Sequence, residues 1–229
     1  MKKVLTFSLW GNNPIYNIGA IKNAELVKIF YPDFECWFYI HKATVPFEAI
    51  EKLSNIDNTK IIFKDGDLNN CKPAMWRFEA IDDQDVEIMM SRDTDTRILL
   101  REKLAVDQWL NSDKIFHIMR DHPYHGEAIM GGMFGIKKNK IIENWIDKIN
   151  NYNENINSYG YDQFFLRNYI YPYIIDYAMI HASFSKFEDD KCIDFPINYD
   201  EYYDFVGQYV YANDARNDSH RQQIKNQLK

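Results

Sequence analysis

Short apolar runs alternate with helical patterns along the first half of the chain. Each predicted strand is a brief, nearly continuous apolar run that ends at turn-forming residues. These runs are 4–10, 36–40, 60–63, 86–90, 115–119 and 177–181. Apolar residues at helical spacing lie between and after them and predict helices over 21–30, 46–53, 75–81, 101–110, 142–149 and 161–170. This alternation predicts an α/β fold with a mainly parallel central sheet flanked by helices.

The pattern extends over most of the chain without a break that would mark a second domain. The sequence has 229 residues, 46% of them hydrophobic, which suits one domain with a sizeable core. Beyond residue 211 the chain turns polar. We therefore expect one domain over residues 1–211, followed by a polar C-terminal tail over 212–229.

The charge balance narrows the range of partners. A formal net charge of −7 argues against nucleic acid, which is bound by neutralising phosphates with Lys and Arg. An acidic protein that handles a phosphorylated substrate needs a cation to bring the two together. The 3 cysteines form no CxxC motif, and no apolar stretch approaches the roughly 20 residues that span a bilayer. We expect a soluble, cytoplasmic protein.

Three Asp-x-Asp patterns occur, at 65–67, 83–85 and 93–95. The first reads as a turn around a glycine, and the second lies among exposed acids before a strand. Asp93 and Asp95 follow a buried strand directly, and open α/β sheets bind ligands at the carboxyl ends of their strands. In extended backbone, residues two apart point to the same side. The sequence therefore predicts a metal or phosphate site at Asp93-Thr94-Asp95.

Two kinds of catalysis use such a pair. In glycosyl transfer, the acids hold a divalent ion that bridges the two phosphates of the sugar donor and neutralises the departing diphosphate. In phosphohydrolases of the haloacid-dehalogenase type, Asp93 would be the nucleophile and Asp95 the acid/base. In those phosphohydrolases the two acids normally follow the first strand of the domain, whereas about three predicted strands precede Asp93. The position favours the transferase, and a non-catalytic module that binds nucleotide-sugars or glycans is a further alternative.

Beyond these residues, the sequence resembles nucleotide-sugar glycosyltransferases of the GT-A fold, especially small soluble ones with a DxD motif. The likeness runs from about Phe7 to Val210. The stretches that carry it are 91–97, 116–125, 131–132, 159–163 and 205–208. The resemblance implies a single GT-A-like, Rossmann-related domain. It also implies transfer of a sugar, of the hexosyl type, from a nucleoside-diphosphate-sugar to a hydroxyl of a glycan or similar acceptor.

The resemblance also assigns candidate residues to the donor and the metal. Donor or nucleotide binding falls to Phe7, Trp10, Tyr16, Arg77, Arg92 and Lys186. As in glycogenin-like and galactosyl transferases, a His at the end of a late strand, here His181, is expected to join Asp93 and Asp95 on the metal. Oxygen-rich ligands with one imidazole favour Mn²⁺, with Mg²⁺ as the alternative.

Catalysis and sugar recognition are assigned to further residues. The Asp162-Gln163 pair resembles one that borders the donor sugar, and Asp162 is the candidate catalytic residue, as a base or as a group that orients the sugar. The remaining candidates for binding the sugar or the acceptor are Asp121, His122, Gly131, Gly132 and Gln163. The two glycines would let the substrate approach the backbone closely.

Overall fold

A mixed eight-stranded sheet forms the centre of the computed structural model, which describes residues 1–228. In chain order the strands are β1 (Lys2–Leu9), β2 (Glu35–His41), β3 (Thr59–Lys64), β4 (Val86–Arg92), β5 (Phe116–Arg120), β6 (Met133–Lys137), β7 (Ala178–Ala182) and β8 (Cys192–Ile193). Their order across the sheet is β3-β2-β1-β4-β6-β5-β7-β8. All neighbouring pairs are parallel except the two that involve β6. The predicted α/β fold with a mainly parallel sheet is confirmed.

Helices connect the strands. The α-helices are α1 (Pro14–Phe30), α2 (Phe47–Ser54), α3 (Leu100–Leu110), α4 (Trp145–Asn151), α5 (Tyr161–Phe165), α6 (Tyr171–Ile174) and α7 (Asp218–Gln227). The segments Lys72–Asp82, Ile175–Tyr177 and Asp189–Lys191 are 3₁₀-helical, and Leu166–Ile170 is a π-helical stretch between α5 and α6. Helix α1 begins where Asn13 accepts a hydrogen bond from the amide of Ile15, with Pro14 in the first turn. None of the described helices is long and apolar enough to cross a membrane.

The antiparallel strand β6 decides which loops meet at the edge of the sheet. It is inserted between β4 and β5, so its amino end lies beside the carboxyl end of β4, with Arg92 paired to Met133. The residues just after β4 therefore adjoin the residues just before β6. This places Asp93 next to Gly132, although 38 residues separate them in the sequence.

Both faces of the sheet are covered, which explains why the central strands read as continuous apolar runs. One core cluster includes Trp145 of α4 and Phe165 of α5, and a second includes Val27 of α1 and Val106 of α3. The core thus holds the carboxyl ends of β1 and β4 in fixed positions relative to each other.

The C-terminal residues differ from the predicted polar tail in one respect: they contain helix α7, which contacts the domain. Ile224 of α7 is buried, and Arg221 pairs with Asp204 at 2.6 Å. The single apolar residue among polar neighbours was too weak a signal to predict this contact from the sequence.

Candidate functional site

A cavity of about 450 Å³ opens at the carboxyl ends of β1 and β4, between these strands and the start of α5. Open α/β sheets bind ligands at this edge. Eight of the predicted site residues line the cavity: Trp10, Tyr16, Arg77, Asp93, Asp95, Gly132, Asp162 and Gln163. The structure therefore brings together residues that lie up to 153 positions apart in the sequence.

The loop that carries the acidic pair is held by α1. The side-chain amide of Asn23 donates hydrogen bonds to the backbone oxygens of Thr94, at 3.3 Å, and Thr96, at 2.8 Å. Gly19, one turn earlier, leaves room for this loop, because a Cβ there would overlap the carbonyl oxygen of Thr94. The hydroxyl of Thr96 donates to the backbone oxygen of Asp93 at 3.0 Å. These contacts fix the backbone on which both carboxylates are mounted.

Arg77 links the two acidic elements of the cavity. Its guanidinium is buried. The Nη1 group pairs with Asp93 and also donates a hydrogen bond to the backbone oxygen of Arg92 at 3.0 Å. The Nη2 group donates to Asp162 Oδ2 at 2.7 Å. Arg77 lines the cavity, and its predicted contact with the donor stays a prediction. Since two carboxylates engage its charge, its first effect is to position Asp93 and Asp162 relative to each other.

Two glycines make room for these carboxylates. A Cβ on Gly132 would overlap the carboxylate of Asp93, and a Cβ on Gly131 would overlap the carboxylate of Asp162 and the guanidinium of Arg77. The carbonyl oxygen of Gly131 also accepts a hydrogen bond from the Ser91 hydroxyl at 2.6 Å. The glycine pair was predicted to admit substrate, and the structure shows that its first neighbours are the acidic side chains.

The acids carry more charge than Arg77 compensates. Burial, and then the charge of Asp93, raise the pKa of Asp95 to about 7. Burial also raises the pKa of Asp162, although Arg77 acts in the opposite direction. A cation near Asp95 would remove this penalty, because it would favour the ionised form of both members of the pair.

Aromatic side chains surround the acids. Trp10 packs edge-on against Trp76, with ring centroids 6.5 Å apart, while Tyr16 is half-exposed. Burial, and then the charge of Asp95, raise the pKa of Tyr16. Tyr159 is almost completely exposed, at 96%, although it lines the cavity. An exposed aromatic ring at the cavity is suited to stack on a flat ligand surface.

The structure does not bring His181 to the acidic pair, and its predicted role as a metal ligand is corrected. His181 lies on β7, and strands β5 and β6 lie between β7 and β4 in the sheet. Its Nδ1 lies 2.8 Å from Nε2 of His117, and its Nε2 lies 3.1 Å from Oε1 of Gln108. Burial lowers the pKa of His181 to about 4, so it is a neutral core residue. Within residues 1–228, no group of three or more His, Cys, Asp or Glu side chains is arranged to hold a metal ion.

Asp121 and His122 are likewise engaged inside the protein rather than in the cavity. Asp121 is completely buried and accepts hydrogen bonds from Arg101, Ser183, Tyr199 and the amide of Val206. The ring of His122 stacks on Phe205 at 4.3 Å, and its Nε2 lies 3.0 Å from the backbone oxygen of His220. Their predicted contacts with sugar are therefore corrected to contacts that hold the C-terminal segments.

Three predicted donor-binding residues also lie outside the cavity. Phe7 is buried and stacks on Phe38 with a centroid distance of 4.9 Å. Arg92 pairs with buried Glu102 at 2.6 Å, and Lys186 pairs with Asp194 at 2.9 Å. Phe7 alternates with Ser8 along β1, so its side chain points into the core while Ser8 lines the cavity.

Ser8, Asn70, Cys71 and Tyr159 are among the lining residues of the cavity that the sequence-based assignment did not include. Ser8 helps to hold Arg77, because its hydroxyl oxygen accepts a hydrogen bond from the Arg77 amide at 3.1 Å. Strand alternation from Phe7 could have identified Ser8. Tyr159 stands in the stretch 159–163 that carries the resemblance, beside the residues that were assigned.

No protein-family model matches the chain. No curated protein matches it at a significant level. Among solved structures, a glycosyltransferase involved in the glycosylation of the major capsid of PBCV-1 is similar with a TM-score of 0.52 and 14% identity, over 80% of this chain and 82% of that one. The galactosyltransferase LgtC, in complex with donor and acceptor sugar analogs, matches with a TM-score of 0.44 and 14% identity, over 78% of this chain and 73% of its own. The first likeness shows that the chain has a GT-A-like α/β fold.

Proposed function

We propose that the chain is a metal-dependent glycosyltransferase that moves a sugar from a nucleoside diphosphate to a hydroxyl of a glycan or similar acceptor. The observation that supports it most is the convergence of Asp93, Asp95 and Asp162 on one cavity at the carboxyl ends of β1 and β4. The fold shared with a glycosyltransferase agrees with this function without establishing it, since one fold hosts many activities.

The residues at the acidic pair fit a hard divalent cation. Asp93 and Asp95 both line the cavity, and a positive ion would offset the burial and the repulsion by Asp93 that raise the pKa of Asp95. Bound Mn²⁺ or Mg²⁺ would supply electrostatic stabilisation of the departing diphosphate. Asp93 and Asp95 would hold the ion, and since His181 lies elsewhere, the remaining ligands would be water and phosphate oxygens.

The other cavity residues suit the parts of a nucleotide-sugar. Trp10 and Tyr16 stand beside the end of β1, where their rings would contact the base and the ribose. Tyr159 would stack on a sugar of the donor or the acceptor. Arg77 would keep the two acidic groups apart and aligned.

Asp162 is the candidate for direct action on the sugar. Arg77 holds its Oδ2, so its Oδ1 is the oxygen that would accept a hydrogen bond from a sugar hydroxyl or a proton from the acceptor. Gln163 follows it in the first turn of α5 and lines the same cavity. The amide group of Gln163 can both donate and accept, which suits a sugar hydroxyl.

The proposal is tested by incubating the protein with nucleoside-diphosphate-sugars, Mn²⁺ and a panel of sugar acceptors. Mass spectrometry should show an acceptor that has gained one sugar, with release of the nucleoside diphosphate, and EDTA should abolish both. Release of inorganic phosphate from simple phosphate esters would instead indicate a phosphohydrolase. Binding of the nucleotide-sugar without any product would indicate a binding module. Either result would contradict the proposal.

A further inference from the structure

A second groove, of about 710 Å³, lies on the surface beside α4, and we call it the α4 groove. Residues in and just before α4 line one part of it, and residues 152–154 together with Tyr169 line the rest. Within residues 1–228 it shares no lining residue with the cavity that contains the acidic pair. Any ligand of the α4 groove therefore binds to side chains other than those assigned to the donor and the metal.

The ring of Tyr169 is held in place although 41% of the residue is exposed. It belongs to the π-helical stretch Leu166–Ile170, a rare geometry that occurs frequently at functional sites. The ring stacks on Phe165 with a centroid distance of 6.0 Å and meets Tyr152 edge-on at 5.3 Å. Its hydroxyl donates a hydrogen bond to Glu154 Oε1 at 2.6 Å. The groove thus offers a fixed aromatic surface, and a ligand that binds to it has little side-chain motion to arrest.

Side-chain amides surround this ring. Asn144, Asn151 and Asn153 line the groove, and all three are exposed. Each amide carries an NH₂ group that donates hydrogen bonds and an oxygen that accepts them. A hydroxyl group also donates and accepts, so a ligand with several neighbouring hydroxyls matches this set of side chains.

The charges of the groove favour an uncharged ligand. Asp147 and Glu154 line it together with one lysine, Lys148, whose Nζ donates to the backbone oxygen of Glu143 at 2.7 Å. A phosphate or another anion would meet more negative than positive charge here. None of the eight lining residues is aliphatic, so the apolar side chains of a peptide would find no matching surface beyond the tyrosines.

Sugars combine the two properties that the groove selects. A sugar ring carries hydroxyls around its edge and C–H groups on its flat face, and the negative face of an aromatic ring attracts these positively polarised C–H groups. We propose that the α4 groove is a second carbohydrate-binding site, which takes the neutral sugar units of an oligosaccharide. One sugar ring packs on Tyr169, and its hydroxyls bind to the asparagine side chains.

The groove lies close to the cavity that contains Asp162. Tyr152 of the groove stacks on Tyr161 of the cavity with a centroid distance of 4.9 Å, and Tyr161 directly precedes Asp162. A glycan bound in the groove would therefore raise the local concentration of an acceptor at the cavity. The binding itself goes beyond the proposed function and does not require it, because it involves neither nucleotide nor metal.

The test begins with an array of neutral and acidic oligosaccharides, probed without nucleotide or metal. The neutral set contains glucose, galactose, mannose and N-acetylglucosamine units, and the wild-type protein should bind at least one of its members in preference to the acidic ones. The affinity for that oligosaccharide is then measured by ligand-observed NMR titration. Tyr169→Ala should weaken it by about tenfold, the scale of one aromatic contact.

Two further variants guard this result. Tyr169 also packs on Phe165, so Asn151→Ala changes an exposed residue that the fold does not depend on, and it should weaken binding severalfold. Tyr173→Ala is the matched control, because Tyr173 is exposed and stands outside the groove. It should bind the oligosaccharide as the wild type does.

The outcomes separate this inference from the proposed function. Wild-type protein that binds no neutral oligosaccharide, or prefers the acidic ones, would overturn the inference, and so would equal affinity of Tyr169→Ala and the wild type. If Tyr159→Ala loses the binding and Tyr169→Ala keeps it, the glycan occupies the cavity and the inference fails. A protein that binds the glycan through Tyr169 but transfers no sugar would uphold the inference and contradict the proposed function.

Discussion

Replacing Gly132 by Ala tests whether the close approach of the backbone to Asp93 maintains the site. The added Cβ would lie 1.9 Å from Asp93 Oδ2, whereas real Cβ atoms essentially never come closer than 3.0 Å to another heavy atom. The φ of Gly132 is not in the left-handed region, so the backbone itself tolerates Ala. The carboxylate must therefore move by about 1 Å or more, which breaks its geometry with Arg77.

The magnitude follows from what Asp93 contributes. Arg77 keeps its bonds to Asp162 and to the backbone oxygen of Arg92, so the free energy of unfolding should fall by only about 1–2 kcal/mol. A ligand group displaced by about 1 Å can cost about 10²-fold in function. We therefore expect Gly132→Ala to lower Mn²⁺-dependent nucleotide affinity, measured by calorimetry, by one to two orders of magnitude.

Gly126 provides the matched control. No heavy atom lies within 4 Å of a Cβ built on it, and its φ is also outside the left-handed region. Gly126→Ala should leave nucleotide affinity and stability close to those of the wild type. The reasoning is refuted if Gly132→Ala binds nucleotide as the wild type does. It is also refuted if Gly132→Ala lowers stability equally in the wild type and in Asp93→Ala, because Asp93→Ala removes the clashing carboxylate.

Three further predictions concern Asp162 and the buried histidines. Asp162→Asn should reduce turnover by about 10²-fold with little change in donor affinity, as kcat and KM measurements will show; unchanged turnover would remove Asp162 from the chemistry. His181→Ala should lower the free energy of unfolding by about 2–5 kcal/mol, because His117 and Gln108 lose their partner. Its Mn²⁺ affinity should be unchanged, and weaker Mn²⁺ binding by the folded variant would restore the metal role of His181. Burial lowers the pKa of His125 to about 3 and of His181 to about 4, below the unfolded value of about 6.5, so stability present at pH 7.5 should be lost as the pH falls. The test uses Asp95→Asn, because the raised pKa of Asp95 gives an opposite dependence of stability on pH. Urea unfolding of this variant should show a free energy of unfolding that falls by a few kcal/mol between pH 7.5 and pH 5. A free energy that does not change with pH would contradict the prediction.

The sequence predicted those parts of the fold that depend on local pattern. The apolar run before Ser91 predicted a central strand, and the strand lies in the sheet with Asp93 at its carboxyl end. The segment 161–170 was predicted helical, but the pattern could not reveal that α5 gives way to a π-helical stretch at Leu166. Hydrogen-bond register of this kind depends on packing rather than on periodicity.

The sequence identified cavity residues where one short segment carries several of them. It assigned residues wrongly where their position depends on partners from distant parts of the chain. Asp93 and Asp95 share one loop, so their joint exposure to the cavity followed from the strand end alone. His181 ends an apolar run and Asp121 follows one. Their side chains, however, are bound by partners far away in the sequence, Gln108 for His181 and Arg101 for Asp121. A buried ion pair and a ligand-binding group have the same composition, and only the three-dimensional partner distinguishes them.

The most direct test of the account is calorimetric titration of nucleoside diphosphates into the wild-type protein with Mn²⁺ and, separately, with EDTA. The account predicts binding that depends on the metal, because an acidic cavity with one engaged arginine repels a free diphosphate. Asp95→Asn should lose most of this binding while remaining folded, since the change removes a carboxylate whose pKa burial, and then the charge of Asp93, raise. Equal affinity with Mn²⁺ and with EDTA, or undiminished binding by Asp95→Asn, would contradict the central claim that Asp93 and Asp95 hold the cation for a nucleotide-sugar.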